Sequence, residues 1–150
     1  MDEAASAPSD AQTLAVACAR AMWAEDRASQ GLGIRIERIA PGEAVMTMAV
    51  TERMVNGHGL CHGGFIFTLA DSAFAFACNT YDRRTVAQHC AVTFLAPARF
   101  GDALTAHAVE VARSGRSGIY DITVTKADGT VVAEFRGHSR TIKGSLLEGT

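Results

Sequence analysis

The segment from Gly63 to Asn79, GGFIFTLADSAFAFACN, constrains the fold more than any other part of the chain. Apolar or small side chains occupy nearly every position, so a helix built from it would have no face suited to water. A helix that is hydrophobic all round belongs in a protein core or in a membrane. With Asp71 in its middle and only 17 residues, the segment is a poor membrane span. It therefore predicts a helix that the rest of the chain buries.

Strand patterns flank this helix on both sides. Before it, Ile34 and Ile36 alternate with polar residues, and residues 44–50 alternate again after a turn at residues 40–43, as in a hairpin. After it, strands are predicted at about residues 85–96, 102–112, 117–126 and 130–142. The pair Asp128-Gly129 is a hairpin signal, because glycine accepts the positive φ that a type I′ turn needs. Short links predict antiparallel neighbours in a meander.

An antiparallel sheet of five to six strands wrapped around one long central helix is the hotdog arrangement, an α+β fold. A chain of 150 residues has room for one domain, so we expect a single hotdog domain over residues 1–150. Residues 1–11 are expected to form a flexible tail. Residues 12–30 are predicted to form an N-terminal helix, which Gly31 and Gly33 would end.

Charge and cysteine usage exclude several function classes. The formal net charge of -2 gives no global field that would gather nucleic acid or an anionic membrane. The acidic opening MDEAASAPSDAQ lacks the basic start and apolar run of a signal peptide, so we expect a cytoplasmic protein. The four cysteines show no CxxC pair and are expected to be free thiols.

Asp71 is the unusual residue of the central helix. A carboxylate in apolar surroundings loses hydration worth several kcal/mol unless it is paired or keeps water. Two readings are open from the residues alone. Asp71 could accept structural hydrogen bonds, for example from Ser72, or its burial could raise its basicity for catalysis.

The start of this helix predicts an oxyanion hole. At His62-Gly63-Gly64 a loop becomes a helix, and the first N–H groups of a helix have no partner inside it. Glycine lets a ligand approach these donors, and the helix dipole favours developing negative charge. The arrangement suits the carbonyl oxygen of a thioester on its way to a tetrahedral adduct.

The spacing of Gly63 and Asp71 predicts a dimer. Eight residues of helix separate them by ~12 Å along the axis, which is too far for both to act on one small group. Two antiparallel helices across a two-fold interface could bring Gly63 of one chain to Asp71 of the other. We therefore expect an obligate homodimer with two active sites at its interface.

The stretch NGHGLCHGGFIFTLADSAFAFACNT, with FLAPARFGD, SGIYD and FRGHSR downstream, closely resembles bacterial phenylacetyl-CoA thioesterases of the phenylacetic acid degradation pathway. The likeness runs from about Cys18 to Lys143 and is most specific over residues 56–79. It implies a hotdog fold, dimers that pair into tetramers, hydrolysis of aryl-acyl-CoA thioesters, and no metal or organic cofactor.

The resemblance also implies roles for single residues. It makes Asp71 the catalytic acid and the amide of Gly63 the oxyanion donor, with Asn56 and His62 binding or orienting the thioester and the attacking water. Gln88 lies where some relatives hold water with a hydroxyl. Gly64, Ser72 and Gln88 are the candidate substrate contacts. The candidates for holding the CoA phosphates are Arg83, Arg84, Arg113, Arg116, Arg136, Arg140 and Lys143.

Several alternatives stay open. Asp71 could act as a general base or as a nucleophile that forms a mixed anhydride. Cys61 beside His62 could be a thiol nucleophile, and His58 with His62 could ligate zinc, although no third ligand is obvious. The acyl group could be phenylacetyl, ring-hydroxylated phenylacetyl, or another aryl or medium-chain group. Rival classes are a hotdog dehydratase, an acyl-CoA sensor and a silent structural subunit.

Overall fold

The computed structural model describes residues 9–148. Its helices are α1 (Asp10–Glu25), α2 (Arg27–Gly31) and α3 (Gly63–Cys78), with a short 3-10 turn at Glu52–Met54. Its strands are β1 (Arg35–Ala40), β2 (Glu43–Ala49), β3 (Thr85–Phe94), β4 (Ala103–Ser114), β5 (Ser117–Lys126) and β6 (Val131–Thr141).

The six strands form one sheet in the order β1-β2-β4-β5-β6-β3, and every pairing is antiparallel. Helix α3 packs against this sheet, and Leu69, Ala70 and Phe74 on it are fully buried. The predicted α+β hotdog fold is confirmed. None of the helices between residues 9 and 148 is long and apolar enough to cross a membrane.

Aromatic packing fixes α3 on the sheet. The ring of Phe74 lies 5.6 Å from that of Tyr120 on β5 and 6.0 Å from that of Phe135 on β6, measured between centroids. The ring also covers Gly137 on β6, where a Cβ atom would come within 2.7 Å of it. Glycine at this position therefore allows the helix to lie close to the sheet.

The meander predicted for the last four strands is wrong for one of them. Strands β4, β5 and β6 are consecutive neighbours, but β3 pairs with β6 at the edge of the sheet rather than with β4. The connection between β3 and β4 is too long for a tight hairpin. The amide of Cys61 donates to the carbonyl of Ala98 in this connection at 2.7 Å, which anchors the connection as it leads to β4, beside β2.

The hairpin at Asp128-Gly129 is present, but the predicted type I′ turn is wrong. Such a turn needs positive φ at both central residues, whereas Gly129 has φ 88° and Asp128 does not have a positive φ. The amide of Gly129 donates to the carbonyl of Lys126 at 3.0 Å. The connection is thus a turn followed by one left-handed glycine, a common longer hairpin.

The predicted N-terminal helix over residues 12–30 is two helices. Ser9 caps α1 by accepting a hydrogen bond from the amide of Gln12, so α1 begins inside the predicted tail. Asp26 ends α1 and caps α2, because its carboxylate accepts from the amide of Ser29 at 2.9 Å. Residues 1–8 of the predicted tail lie outside the described residues.

We predict that Gly137→Ala destabilises the protein by about 1–3 kcal/mol, because the added methyl group must displace the buried ring of Phe74. Chemical denaturation measures the change. Gly31→Ala is the matched control, since a Cβ at Gly31 meets nothing within 4 Å, and its effect should stay within about 0.5 kcal/mol. Equal stabilities for the two variants would contradict the close packing of α3 on β6.

Candidate active site

His62 caps the N-terminus of α3. Its Nδ1 accepts a hydrogen bond from the amide of Gly64 at 2.9 Å, and its carbonyl accepts from the amide of Phe65 at 3.0 Å. Nδ1 must therefore be unprotonated, which leaves the proton of the neutral ring on Nε2. The cap also occupies the amide of Gly64, one of the two glycine donors that the sequence predicted at this helix start.

The amide of Gly63 is in a different position. It is the first N–H of α3, and no group of residues 9–148 accepts a hydrogen bond from it. The ring of Phe94 lies over Gly63, so closely that a Cβ atom would come within 2.9 Å of it. A positively polarised helix end with an unpaired donor beside an aromatic wall is suited to a carbonyl oxygen that gains charge.

Asn56 shapes the loop that leads to α3. Its Oδ1 accepts from the amides of His58 at 2.9 Å and Leu60 at 3.2 Å, which fixes the orientation of the side-chain amide. The Nδ2 group is then a donor with no acceptor among residues 9–148. Asn56 and Gly63 line one open groove of about 600 Å³, with Leu60, Cys61, Ile66 and residues 94–98 as its other walls.

Asp71 lies in the middle of α3 and is half-buried. Burial raises the pKa of its carboxyl group, and no group among residues 9–148 forms a hydrogen bond with it. Its charge contributes to the raised pKa of the thiols of Cys78 and Cys90, so the carboxylate lies near both. Cys90 belongs to the edge strand β3. A basic carboxylate without a structural partner is thus held close to the edge of the sheet.

Within one chain, the two halves of the predicted site remain apart. Gly63 and Asp71 lie eight residues apart on one continuous helix, which corresponds to ~12 Å along its axis. Strand β3 runs beside both. Among residues 9–148 it pairs only with β6, so its other edge has no strand partner there. Three large apolar side chains on or just after β3 are also exposed: Val86, Phe94 and Leu95.

The remaining predicted contacts have different surroundings. The hydroxyl of Ser72 lies 2.9 Å from that of Ser29, which also binds Asp26, so Ser72 joins α3 to α2. Gln88 is exposed on β3, between Ala87 and His89 where the pairing with β6 shifts register. Their roles as substrate contacts stay predictions.

Two alternatives from the sequence gain no support. The thiol of Cys61 is buried and donates to the carbonyl of His62, and burial raises its pKa, all of which oppose a thiolate nucleophile. The Nδ1 atom of His62 is occupied by the helix cap. Across residues 9–148, no three His, Cys, Asp or Glu side chains cluster so that they could hold a metal ion.

Sequence reasoning missed the wall of the groove. Phe94 and residues 95–98 come from the end of β3 and the connection after it, more than thirty positions beyond Gly63 in the chain. The aromatic and proline residues of FLAPARF are ordinary for a loop, so no local signal marks them as neighbours of the helix start.

Comparison with known proteins agrees with this geometry. Residues 58–133 match the family model of the thioesterase superfamily. The chain is similar to acyl-coenzyme A thioesterase PaaI of Escherichia coli K12, with 44% identity over 128 residues that cover 85% of this chain and 91% of that protein. These likenesses confirm the resemblance stated from the sequence.

Solved structures show the same relation. The structure of the E. coli PaaI protein from the phenylacetic acid degradation operon has a TM-score of 0.88 and 43% identity, and the match covers 89% of this chain and 97% of that one. A mutant of the phenylacetic acid degradation protein PaaI from Thermus thermophilus has a TM-score of 0.75 and 38% identity, over 78% of this chain and 100% of that one. This chain belongs to the thioesterase superfamily.

Proposed function

We propose that this protein is an acyl-CoA thioesterase that hydrolyses phenylacetyl-CoA or a ring-hydroxylated phenylacetyl-CoA to the free acid and CoA. The observation that carries the proposal is the helix α3, which has an unpaired amide at its first residue and an unpaired carboxylate of raised pKa in its middle. The similar E. coli protein is named an acyl-coenzyme A thioesterase, and the E. coli PaaI protein of the solved structure is from the phenylacetic acid degradation operon.

The active site is assembled by two subunits in this proposal. The free edge of β3 and its exposed apolar side chains favour pairing with a second copy, because unpaired edges and apolar patches mark association surfaces. An antiparallel arrangement of two α3 helices brings Gly63 of one subunit to Asp71 of the other. Two such dimers form the proposed homotetramer, as the resemblance implies.

Each subunit then contributes one half of the chemistry. The thioester oxygen accepts from the amide of Gly63, and Asn56 of that subunit presents a further donor in the same groove. His62 precedes Gly63 and holds the helix start in place by capping it. Asp71 of the other subunit activates water as a general base or attacks the carbonyl carbon directly. Gln88 lies two residues along β3 from Cys90 and is the proposed polar contact for the water. No metal or organic cofactor has a role in this scheme.

We also propose that the protein is cytoplasmic, and the state of its four cysteines supports this location. All four are free thiols, and three of them are buried. Free thiols are typical of proteins that work in a reducing compartment.

We predict that Asp71→Asn lowers kcat for phenylacetyl-CoA by at least about a hundredfold with binding retained, because the amide cannot accept a proton or attack the carbonyl. Thiol release under saturating substrate measures kcat, and calorimetry with CoA measures binding. Hydrolysis undiminished in Asp71→Asn would remove Asp71 from the chemistry. CoA binding without hydrolysis by either protein would instead favour the non-hydrolytic sensor or structural subunit.

We predict that Gly63→Pro lowers kcat by about 10²–10³, because it removes one oxyanion donor. Proline is tolerated at the first position of a helix, and His62 already has the extended backbone that a following proline requires. Gly63→Ala is the matched control, since it meets the same ring of Phe94 but keeps the amide. A Gly63→Ala variant as inactive as Gly63→Pro would make the loss steric.

The same variants test the shared site. Mixing Gly63→Pro and Asp71→Asn chains before refolding produces heterodimers with one intact site, so about a quarter of the wild-type activity should return if chains pair at random. A mixture as inactive as its parents would show that both residues act within one chain.

We predict opposite effects of pH on activity and on the stability of the wild type. The pKa of Asp71 is raised by burial, so kcat/KM should fall with decreasing pH at a higher pH than an ordinary aspartate would produce.

A raised carboxyl pKa stabilises the fold at low pH, and this contribution is lost as the pH rises through that pKa. Asp71→Asn should therefore exceed the wild type in Tm at neutral pH but not in acid. Thermal melts at both pH values measure this, and a constant difference in Tm would contradict it.

A further inference from the structure

Positive charge is concentrated where four strand ends meet, beyond the C-terminus of α3. The ends of β4 and β6 and the starts of β3 and β5 are neighbours here, as the pairs Ser114 with Ser117, Ser117 with Arg140, and Thr85 with Thr141 show. Of the 14 lysines and arginines in the chain, six lie on these segments: Arg83, Arg84, Arg113, Arg116, Arg140 and Lys143. The chain as a whole has a net charge of -2, so this end is a marked exception.

The two carboxylates on the same segments already have partners. The carboxylate of Asp82 accepts from the hydroxyl of Ser145 at 2.7 Å and from two backbone amides after it. Glu110 accepts from the hydroxyls of Tyr81 at 2.9 Å and Tyr120 at 2.8 Å, and forms an ion pair with Arg113. Neither carboxylate therefore balances the remaining cations, which would attract an anion.

A small polar pocket opens at this end of the sheet. Its volume is about 20 Å³, enough for one oxygen-sized group, since a water molecule needs roughly 10–15 Å³ of such space. Arg83 and Arg113 line it, together with the hydroxyl residues Thr85, Ser117, Ser139 and Thr141. Hydroxyl and guanidinium groups are the donors that proteins use to hold phosphate.

Ser139 gives the pocket a hydroxyl that has no partner among residues 9–148. Only 4% of the residue is exposed, and its hydroxyl forms no hydrogen bond with residues 9–148. The Oγ atom is not among the fully buried unpaired atoms, so it keeps some contact with the space of the pocket that it lines. Gly118 makes room for it, because a Cβ atom at Gly118 would lie 2.5 Å from the Oγ atom of Ser139. A hydroxyl without a protein partner takes its hydrogen bonds from whatever occupies the pocket, so Ser139 is available to donate to a ligand there.

We infer that this pocket binds a phosphate group, with one phosphate oxygen on the hydroxyl of Ser139 and the guanidinium of Arg83 at the mouth. The phosphate could come from the 3′-phosphate of CoA or from free inorganic phosphate. Only the CoA assignment rests on the proposed function. Cys78 lines the pocket and lies seven residues beyond Asp71 on α3, ~10 Å along the axis, a distance that a CoA molecule with its thioester at Asp71 can span.

Calorimetry with CoA and 3′-dephospho-CoA tests the assignment. The wild type should bind CoA about tenfold more tightly or better, because charge-assisted hydrogen bonds are lost with the 3′-phosphate. Ser139→Ala and Arg83→Gln should each reduce this ratio severalfold and leave the affinity for 3′-dephospho-CoA unchanged. Arg20→Gln is the matched control, since it removes an exposed arginine on α1, outside the cluster. The preference should also weaken as salt is raised.

A second arm separates the two sources. Inorganic phosphate should raise the Tm of the wild type and raise it less in Ser139→Ala and Arg83→Gln. If inorganic phosphate shifts the Tm in this way but CoA and 3′-dephospho-CoA bind with equal affinity, the pocket binds phosphate and its ligand is free phosphate rather than CoA. Because Arg83 is exposed, Arg83→Gln carries the test even if Ser139→Ala fails to fold.

The inference is overturned if neither the CoA preference nor the phosphate effect changes in the two variants, since the pocket then holds only water. That outcome is independent of the proposed thioesterase activity, which thiol release in Asp71→Asn tests separately. If no thiol is released from phenylacetyl-CoA but inorganic phosphate still raises the Tm less in the two variants than in the wild type, the pocket is an anion site whose function is unrelated to thioester hydrolysis.

Discussion

The burial of α3 against one face of the sheet is the constraint on which the rest of the structure depends. Residues such as Leu69, Ala70 and Phe74 are withdrawn completely from water, and the transfer of apolar area is the main force that holds the sheet around the helix. Aromatic rings and a glycine on the facing strand then fix how closely helix and sheet approach. Because α3 also carries Gly63 and Asp71, the packing that stabilises the protein also positions the proposed site.

Two polar groups of this helix have no hydrogen-bond partner among residues 9–148 to replace the water that they lose on folding. The carboxylate of Asp71 has a raised pKa from burial and no hydrogen-bond partner among residues 9–148, and the first amide of the helix, at Gly63, has none there either. Native proteins satisfy most buried or helix-end polar groups, so groups left unpaired in this way are typical of functional sites. The neighbouring amide of Gly64 is satisfied by His62, which shows that the structure caps this helix where a cap is possible.

The fold was largely predictable, because its main signals are local. The apolar segment predicted the central helix, and the strand patterns on either side of it, four of them alternating, predicted all six strands to within a few positions. The errors concern relations that local patterns do not encode. The position of β3 beside β6 comes from pairing between strands that are distant in the chain, and the turn at Gly129 depends on the register of two strands. The break at Asp26 shows a capping residue ending one helix and starting the next.

For the site, the sequence by itself determined the kinds of chemical group and their spacing along one helix: an acid eight residues after a glycine helix start. These follow from residue identity and helical rise, which need no tertiary information. Only the tertiary structure decided which donors are available, because the cap by His62 and the contact of Phe94 with Gly63 join residues through space. The same holds for Ser139 and Arg83, which lie more than fifty positions apart in the chain and line one pocket because two strand ends meet there.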